Sequence, residues 1–157
     1  DPLEVVNMKA PSDMQVCAAF PHMITPPHKT QKARLVVPRM VPIEKLVHNL
    51  GNAAAMVSGF ASGDVDLIGK SMSDIIVGPA RASLIPGFQQ VKEKAFKAGA
   101  CGVTISGAGP AMLAVVNKKN ANAAQVAAAM KEGFKEGGFE ATAFATRPGK
   151  GVCLLED

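Results

Sequence analysis

The sequence predicts an α+β domain, with helices on one face of a mostly antiparallel, four-stranded sheet. Three observations carry that expectation. Apolar residues recur with a helical period through the middle of the chain and change to a strand-like pattern near Cys101. Two apolar runs there, Cys101 to Ser106 and Ala111 to Val116, are joined only by Gly107-Ala108-Gly109-Pro110, which fits a hairpin. Apolar residues make up 48% of the chain and charged residues 19%, which is core material in plenty and too little charge for a disordered chain. At 157 residues, positions 1–157 read as a single domain.

The elements follow in order. Met14 to Phe20 is a short apolar run closed by Pro21, the pattern of a buried strand. Pro26-Pro27 pushes the preceding residues out of the helical region and forces a connection. Thr30 to Val37 suits a short helix stopped by Pro38. Pro42 opens a long helix from its first turn, where a missing N–H costs nothing. On that helix Ile43, Leu46, Val47, Leu50, Ala54 and Val57 form one apolar stripe, read as the buried face, and Gly59 to Gly63 ends it.

A second helical pattern covers Asp64 to Ile76, with Leu67, Ile68, Met72 and Ile75 facing inward, and Gly78-Pro79 breaks it. Arg81 falls in the loop Ala80 to Gly87. The next helix turns Phe88, Val91, Ala95 and Phe96 inward and Lys92, Glu93, Lys94 and Lys97 to solvent. Asn120 or Asn122 caps an alanine-rich helix that ends at Gly137-Gly138, and Phe139 to Thr146 alternates as a final strand.

Composition narrows the function classes. The net charge is +4 without any dense Lys/Arg run, and the only aromatics are seven Phe, so a nucleic-acid surface is not suggested. Cys17, Cys101 and Cys153 show no C-x-x-C spacing and read as reduced thiols of an intracellular, reducing compartment, cytoplasm or plastid stroma. There is no apolar run of about 18 residues to span a membrane. The first four residues resemble neither a signal nor a transit peptide. His22, His28 and His48 lack metal-ligand spacing, and no metal site is expected.

The most informative segment is Thr104-Ile105-Ser106-Gly107-Ala108-Gly109-Pro110. Its glycines permit positive φ, and successive N–H groups in such a bend form a concave nest for an anion. The plainer alternative is a tight hairpin turn. It is neither a Walker loop nor a dinucleotide fingerprint, because Gly-Lys-Ser/Thr and Gly-x-Gly-x-x-Gly are both absent.

Gly102-Val103-Thr104-Ile105-Ser106-Gly107-Ala108-Gly109-Pro110 resembles the third, glycine-rich motif of the GHMP small-molecule kinases, and within them that of the homoserine kinase family. Asp74-Ile75-Ile76-Val77-Gly78-Pro79-Ala80-Arg81-Ala82-Ser83-Leu84-Ile85-Pro86-Gly87-Phe88 resembles the stretch that precedes it in that family. So does Thr30-Gln31-Lys32-Ala33-Arg34, followed by Val37-Pro38, in the right order. The resemblance implies the GHMP C-terminal, ferredoxin-like fold. It also implies ATP-dependent phosphorylation of the side-chain hydroxyl of L-homoserine, a step toward threonine.

By the same resemblance, Arg34 of Thr-x-x-Ala-Arg and Arg81 of Pro-x-Arg hold the substrate carboxylate, with Thr30 one helical turn before Arg34. The residue type suits the task, since a guanidinium is a permanently charged planar fork that matches a carboxylate with two hydrogen bonds. Ser106, Gly107, Ala108 and Gly109 are the implied support for nucleotide phosphates. Gly78 stands where the family usually has Glu.

The family's Pro-x-x-x-Gly-Leu-Gly-Ser-Ser-Ala phosphate loop is not found, so the chain reads as a C-terminal half with no catalytic residue of its own and no activity alone. ATP and Mg²⁺ are then cofactors of the full-length enzyme, with neither bound tightly here. The expected partners are L-homoserine and ATP, together with an N-terminal half or a second copy of the chain over the apolar surface left bare. The competing reading is a processed, non-catalytic domain serving as an interaction or defence protein.

Overall fold

The computed structural model describes residues 6–24, 27–149 and 151; Pro26 of the proline turn, Cys153 and both chain ends lie outside the described residues. Ten elements follow one another: β1 (Met14–Pro21), α1 (Lys29–Leu35), α2 (Ile43–Ser62), α3 (Val65–Lys70), α4 (Val77–Ala82), α5 (Phe88–Lys97), β2 (Gly102–Ile105), β3 (Met112–Asn117), α6 (Ala123–Glu136) and β4 (Ala141–Thr146). The strands form one antiparallel sheet in the order β2-β3-β1-β4. Cys17 lies opposite Ala114 of β3 on one side and Ala145 of β4 on the other. Among the described residues, no helix is long and apolar enough to cross a membrane.

Alternation along the strands divides the apolar residues between two faces. Cys17, Ala19, Met112, Ala114 and Val116 meet Val91 and Ala95 of α5 and Val126, Met130 and Phe134 of α6, which together form the main core. Truncating Phe134, which is fully buried, removes about 3–5 kcal/mol of packing. Helices α5 and α6 cover one face, and α3 with α2 packs over a smaller cluster on the other, so that helices lie on both faces instead of one. There Met14 and Val115 pack on Val65 and Ile68 of α3, with Met56 and Phe60 of α2 beside them.

Three close approaches of backbone fix this arrangement. A Cβ on Gly133 of α6 would stand 2.5 Å from the Cα of Val91, and one on Gly137 would stand 2.4 Å from the Cα of Gly87. Helices α5 and α6 therefore touch main chain to main chain along a glycine seam. On the opposite face a Cβ on Gly69 would stand 2.3 Å from the Cβ of Cys101.

Several expectations need correction. The stripe on α2 faces away from the core: Ile43, Leu46, Val47, Leu50 and Val57 are all exposed, and so is Ala54. The helix is held by its other side, through Asn49, Asn52, Met56, Gly59 and Phe60, because polar contacts to the segment after α3 fix its rotation. The helical pattern from Asp64 to Ile76 stops at Lys70, and Gly78-Pro79 lies inside α4 instead of breaking a helix. Pro79 is tolerated there because the first-turn N–H groups have no intrahelical acceptor. Phe96, read as inward, is exposed.

Candidate functional site

The three motif segments converge beside the β2–β3 hairpin, and the structure shows how. Asp74 organises the entry to α4. Its carboxylate accepts from the N–H groups of Ile76 at 2.8 Å, Val77 at 3.0 Å and Gly78 at 2.6 Å. Asn49 of α2 donates to the same carboxylate at 2.8 Å and accepts from the N–H of Ile75 at 3.2 Å, while Asn52 donates to the carbonyl of Ser73 at 2.6 Å. Burial pushes the Asp74 carboxyl up, yet the Ile76 N–H, the Asn49 amide and the N–H groups of Gly78 and Val77 outweigh it and hold the pKa below the usual carboxylate value. The Asp74 carboxylate thus stands directly beside Gly78, at the start of α4.

Helix α4 carries Arg81 in its last turn. The Arg81 guanidinium reaches two other segments at once: Nε donates to the carbonyl of Ala33 in α1 at 2.9 Å, and Nη1 donates to the carbonyl of Gly107 in the hairpin loop at 2.9 Å. Ala33 is buried beneath this contact, and its neighbour Arg34 is exposed, as is Thr30 one turn earlier. Thr30 and Arg34, four residues apart, lie on one side of α1.

The loop is shaped by its glycines. Gly107 and Gly109 adopt φ of 57° and 73°. At Gly109 a side chain is doubly excluded, since its Cβ would stand 2.9 Å from Cδ1 of Ile85. The N–H of Gly109 donates to the carbonyl of Ser106 at 2.9 Å, and the N–H of Ser106 donates to that of Ala111 at 2.8 Å. The N–H groups of Gly107 and Ala108 meet no acceptor among the described residues. The carbonyls are held by cations, Gly107 by Arg81 and Gly109 by Lys29, whose Nζ donates at 2.7 Å.

Lys29 is a residue that motif reading missed. It and Lys32 line a small cleft between α1 and the loop, together with Met23, Ala33, Leu84, Ala108 and Pro110. Thr30, Arg34 and Arg81 are not part of its lining: Thr30 and Arg34 are exposed on α1, and Arg81 sits on α4. The available signal was a second basic pair on the same short helix, three residues apart and thus on one side. Three cations, Lys29, Lys32 and Arg81, border the glycine loop, an arrangement that favours an anionic ligand, while Arg34 stands exposed on α1 with no contact to the loop among the described residues.

Comparison with known proteins accounts for this convergence. Residues 56–136 match the family GHMP kinases C terminal. The chain is 46% identical over 128 residues to a homoserine kinase of Halorubrum lacusprofundi, covering 82% of this chain and 43% of the relative. It is 37% identical over 152 residues to a homoserine kinase of Pyrococcus furiosus, covering 97% of this chain and 49% of the relative. The crystal structure of homoserine kinase from Cytophaga hutchinsonii superimposes with a TM-score of 0.83 at 36% identity, over 92% of this chain and 45% of that one. The chain spans somewhat under half the length of these relatives. With a family match over more than half of its residues and the same sheet and helices in a solved relative, the chain belongs to the GHMP kinases C-terminal family.

Proposed function

We propose that this chain forms the substrate-carboxylate side of a homoserine kinase, which transfers the γ-phosphoryl group of ATP to the side-chain hydroxyl of L-homoserine. The observation that carries the reading is the double contact of Arg81 with Ala33 and Gly107, which ties the Thr-x-x-Ala-Arg helix to the glycine loop. Support also comes from relatives named homoserine kinase that align over most of the chain.

In this reading each residue has a separate task. Arg81 uses two of its five N–H donors on the backbone and offers the rest to the carboxylate. Arg34 closes on the same carboxylate from α1, and the Thr30 hydroxyl adds a hydrogen bond beside it. The N–H groups of Gly107 and Ala108, with Ser106 and Gly109 setting the bend, face the phosphates of the nucleotide. ATP with Mg²⁺ supplies the phosphoryl group, held chiefly by the remainder of the full-length enzyme. What this chain contributes is positioning and positive charge, the main ingredients of phosphoryl transfer.

The test joins the chain to the N-terminal half of one of the matched homoserine kinases and follows ATP consumption with L-homoserine, mevalonate and galactose. The expected result is turnover with L-homoserine from the joined polypeptide and none from the 157-residue chain alone. Preference for either of the other two alcohols, or no turnover from a folded joined polypeptide, overturns the reading.

A further inference from the structure

The carbonyls of the glycine bend are tied down in a way that turns its free N–H groups outward, and one tie comes from Lys29, which stands just outside the Thr-x-x-Ala-Arg motif. A trans peptide is planar, with its C=O and N–H pointing in opposite directions. The Ser106 carbonyl accepts from the N–H of Gly109 at 2.9 Å, so the N–H of Gly107, in the same peptide, is turned the other way. The Gly107 carbonyl accepts from Arg81 at 2.9 Å, which turns the Ala108 N–H in the same manner. The peptide between Gly109 and Pro110 has no N–H at all. Its one hydrogen-bonding group is the Gly109 carbonyl, and among the described residues only Lys29 holds it, at 2.7 Å.

Lys29 is badly suited to its place in the helix. It opens α1, where a cation opposes the helix dipole, and His28 before it, at a φ of 58°, gives no side-chain cap. A local rule broken with no local gain marks a residue kept for another task. Neither Lys29 nor Gly109 belongs to a core cluster, so their bond serves the bend and not the frame. Lys29 is half-buried, whereas Lys32, one turn on, is exposed and meets no loop carbonyl among the described residues.

We propose that Lys29 is a positioning residue: by holding the Gly109 carbonyl it keeps the Gly107 and Ala108 N–H groups aimed at the nucleotide phosphates, without touching them itself. The identity of that anion rests on the homoserine kinase reading; the brace does not. Two cations grip the bend from different elements, Arg81 of α4 at Gly107 and Lys29 of α1 at Gly109. Donors fixed beforehand need no reorganisation when charge develops, which suits phosphoryl transfer. Without Lys29 nothing holds the last peptide of the bend, and its glycines are free to rotate.

Two measurements test this. In the 157-residue chain, nuclear magnetic resonance relaxation of the backbone amides reads the bend directly. Lys29→Met is expected to lower the order parameters of Gly107 and Ala108 into the flexible range, below about 0.6, and to leave α5 and α6 unchanged, while Lys29→Arg restores them. In the polypeptide joined to an N-terminal half, Lys29→Met is expected to lower kcat/KM for ATP with Mg²⁺ by about tenfold or more. KM for L-homoserine should stay within about threefold, and Lys29→Arg should recover most of the loss. Lys29→Gln, too short to reach the carbonyl, should behave as Lys29→Met and replaces it if that variant does not fold.

The two proposals fail separately. An inactive but folded wild-type joined polypeptide overturns the proposed function, and the amide measurement still decides the brace. The brace is overturned if the Gly107 and Ala108 order parameters of Lys29→Met match the wild type. It is overturned as well if Lys32→Met lowers kcat/KM as much, or if the loss falls on KM for L-homoserine instead of on ATP.

Discussion

The guanidinium of Arg81 donates to the carbonyl of Gly107 at 2.9 Å, across 26 residues of chain, while its Nε holds the carbonyl of Ala33. One side chain therefore braces the loop and, in the proposed function, also meets the substrate. Arg34, one residue from Ala33, is exposed and makes no such contact among the described residues. The two arginines should accordingly part company on mutation. Arg81→Ala is expected to cost about 1.5–3 kcal/mol of stability through its lost charged hydrogen bonds. Arg34→Ala should stay within about 0.5 kcal/mol. In the joined polypeptide, both should weaken L-homoserine binding roughly ten- to a hundred-fold. Urea midpoints and titration calorimetry measure the two effects, and equal stability losses would refute the division of labour.

Asp74 should make the domain acid-sensitive. Its folded pKa lies below the ordinary value of 3.8, so its stabilisation is complete above that value and is lost as the pH falls through the folded pKa. Asp74→Asn keeps the shape and removes the charge. The variant is expected to lose about 0.5–2 kcal/mol at neutral pH, in the range of a lost helix cap, and to show a flatter stability profile below pH 4. Urea titrations from neutral to acid pH are the check; parallel profiles for the two proteins would exclude the role given to this carboxylate.

Alkaline conditions act through the thiols. Burial raises the pKa of Cys17 to about 11, and burial with the neighbouring Asp66 carboxylate raises that of Cys101 to about 11. The protonated thiols are favoured by the fold, so their contribution is whole below the ordinary value of 9.0 and disappears as the pH rises toward about 11. Stability is expected to decline over that window, and Cys17→Ala should shallow the decline. At pH 8 the folded protein should protect both thiols from iodoacetamide, with mass mapping of the peptides as the readout. Rapid labelling of Cys17 in the folded state would contradict its placement.

Gly69 offers the sharpest packing test. Its missing side chain admits the backbone of Cys101, with the Cys101 carbonyl carbon 2.6 Å from where a Cβ would stand. Gly69→Ala should destabilise by about 1–3 kcal/mol, because α3 must retreat from the start of β2. Gly51→Ala on α2, where a Cβ meets nothing within 4 Å, should stabilise by about 0.5–1 kcal/mol. Thermal melts of the pair separate local crowding from a general intolerance of substitution.

Much of this architecture could be read in the residues themselves. The switch to period two near Cys101 located the hairpin, and Asn122 was one of two named caps, its side chain accepting from Ala124 at 2.9 Å. Local chemistry suffices for such features. It did not suffice for the rotation of α2, because a stripe shows which residues share a side and not which side is covered. The apolar Ile43–Val57 stripe lost to Asn49 and Asn52, whose partners lie more than twenty residues away. Arg81 could be nominated from its motif, but its acceptors are main-chain carbonyls, which no side-chain pattern announces. Lys29 was missed for the same reason, since it is held by the carbonyl of Gly109.

The glycine seam between α5 and α6 has a mechanical outcome. Helices in contact through Gly133 and Gly137 have no side-chain layer to slide upon, so they and the sheet beneath them travel as one stiff body. On the far margin, α1 is joined to the loop and to α4 through a few cation–carbonyl bonds made by long, jointed arms. Compliance is thereby sorted by construction. In the proposed function, any adjustment to an arriving anion falls to α1 and the Gly107–Gly109 bend, while the interlocked helices keep the frame against which that bend is aimed.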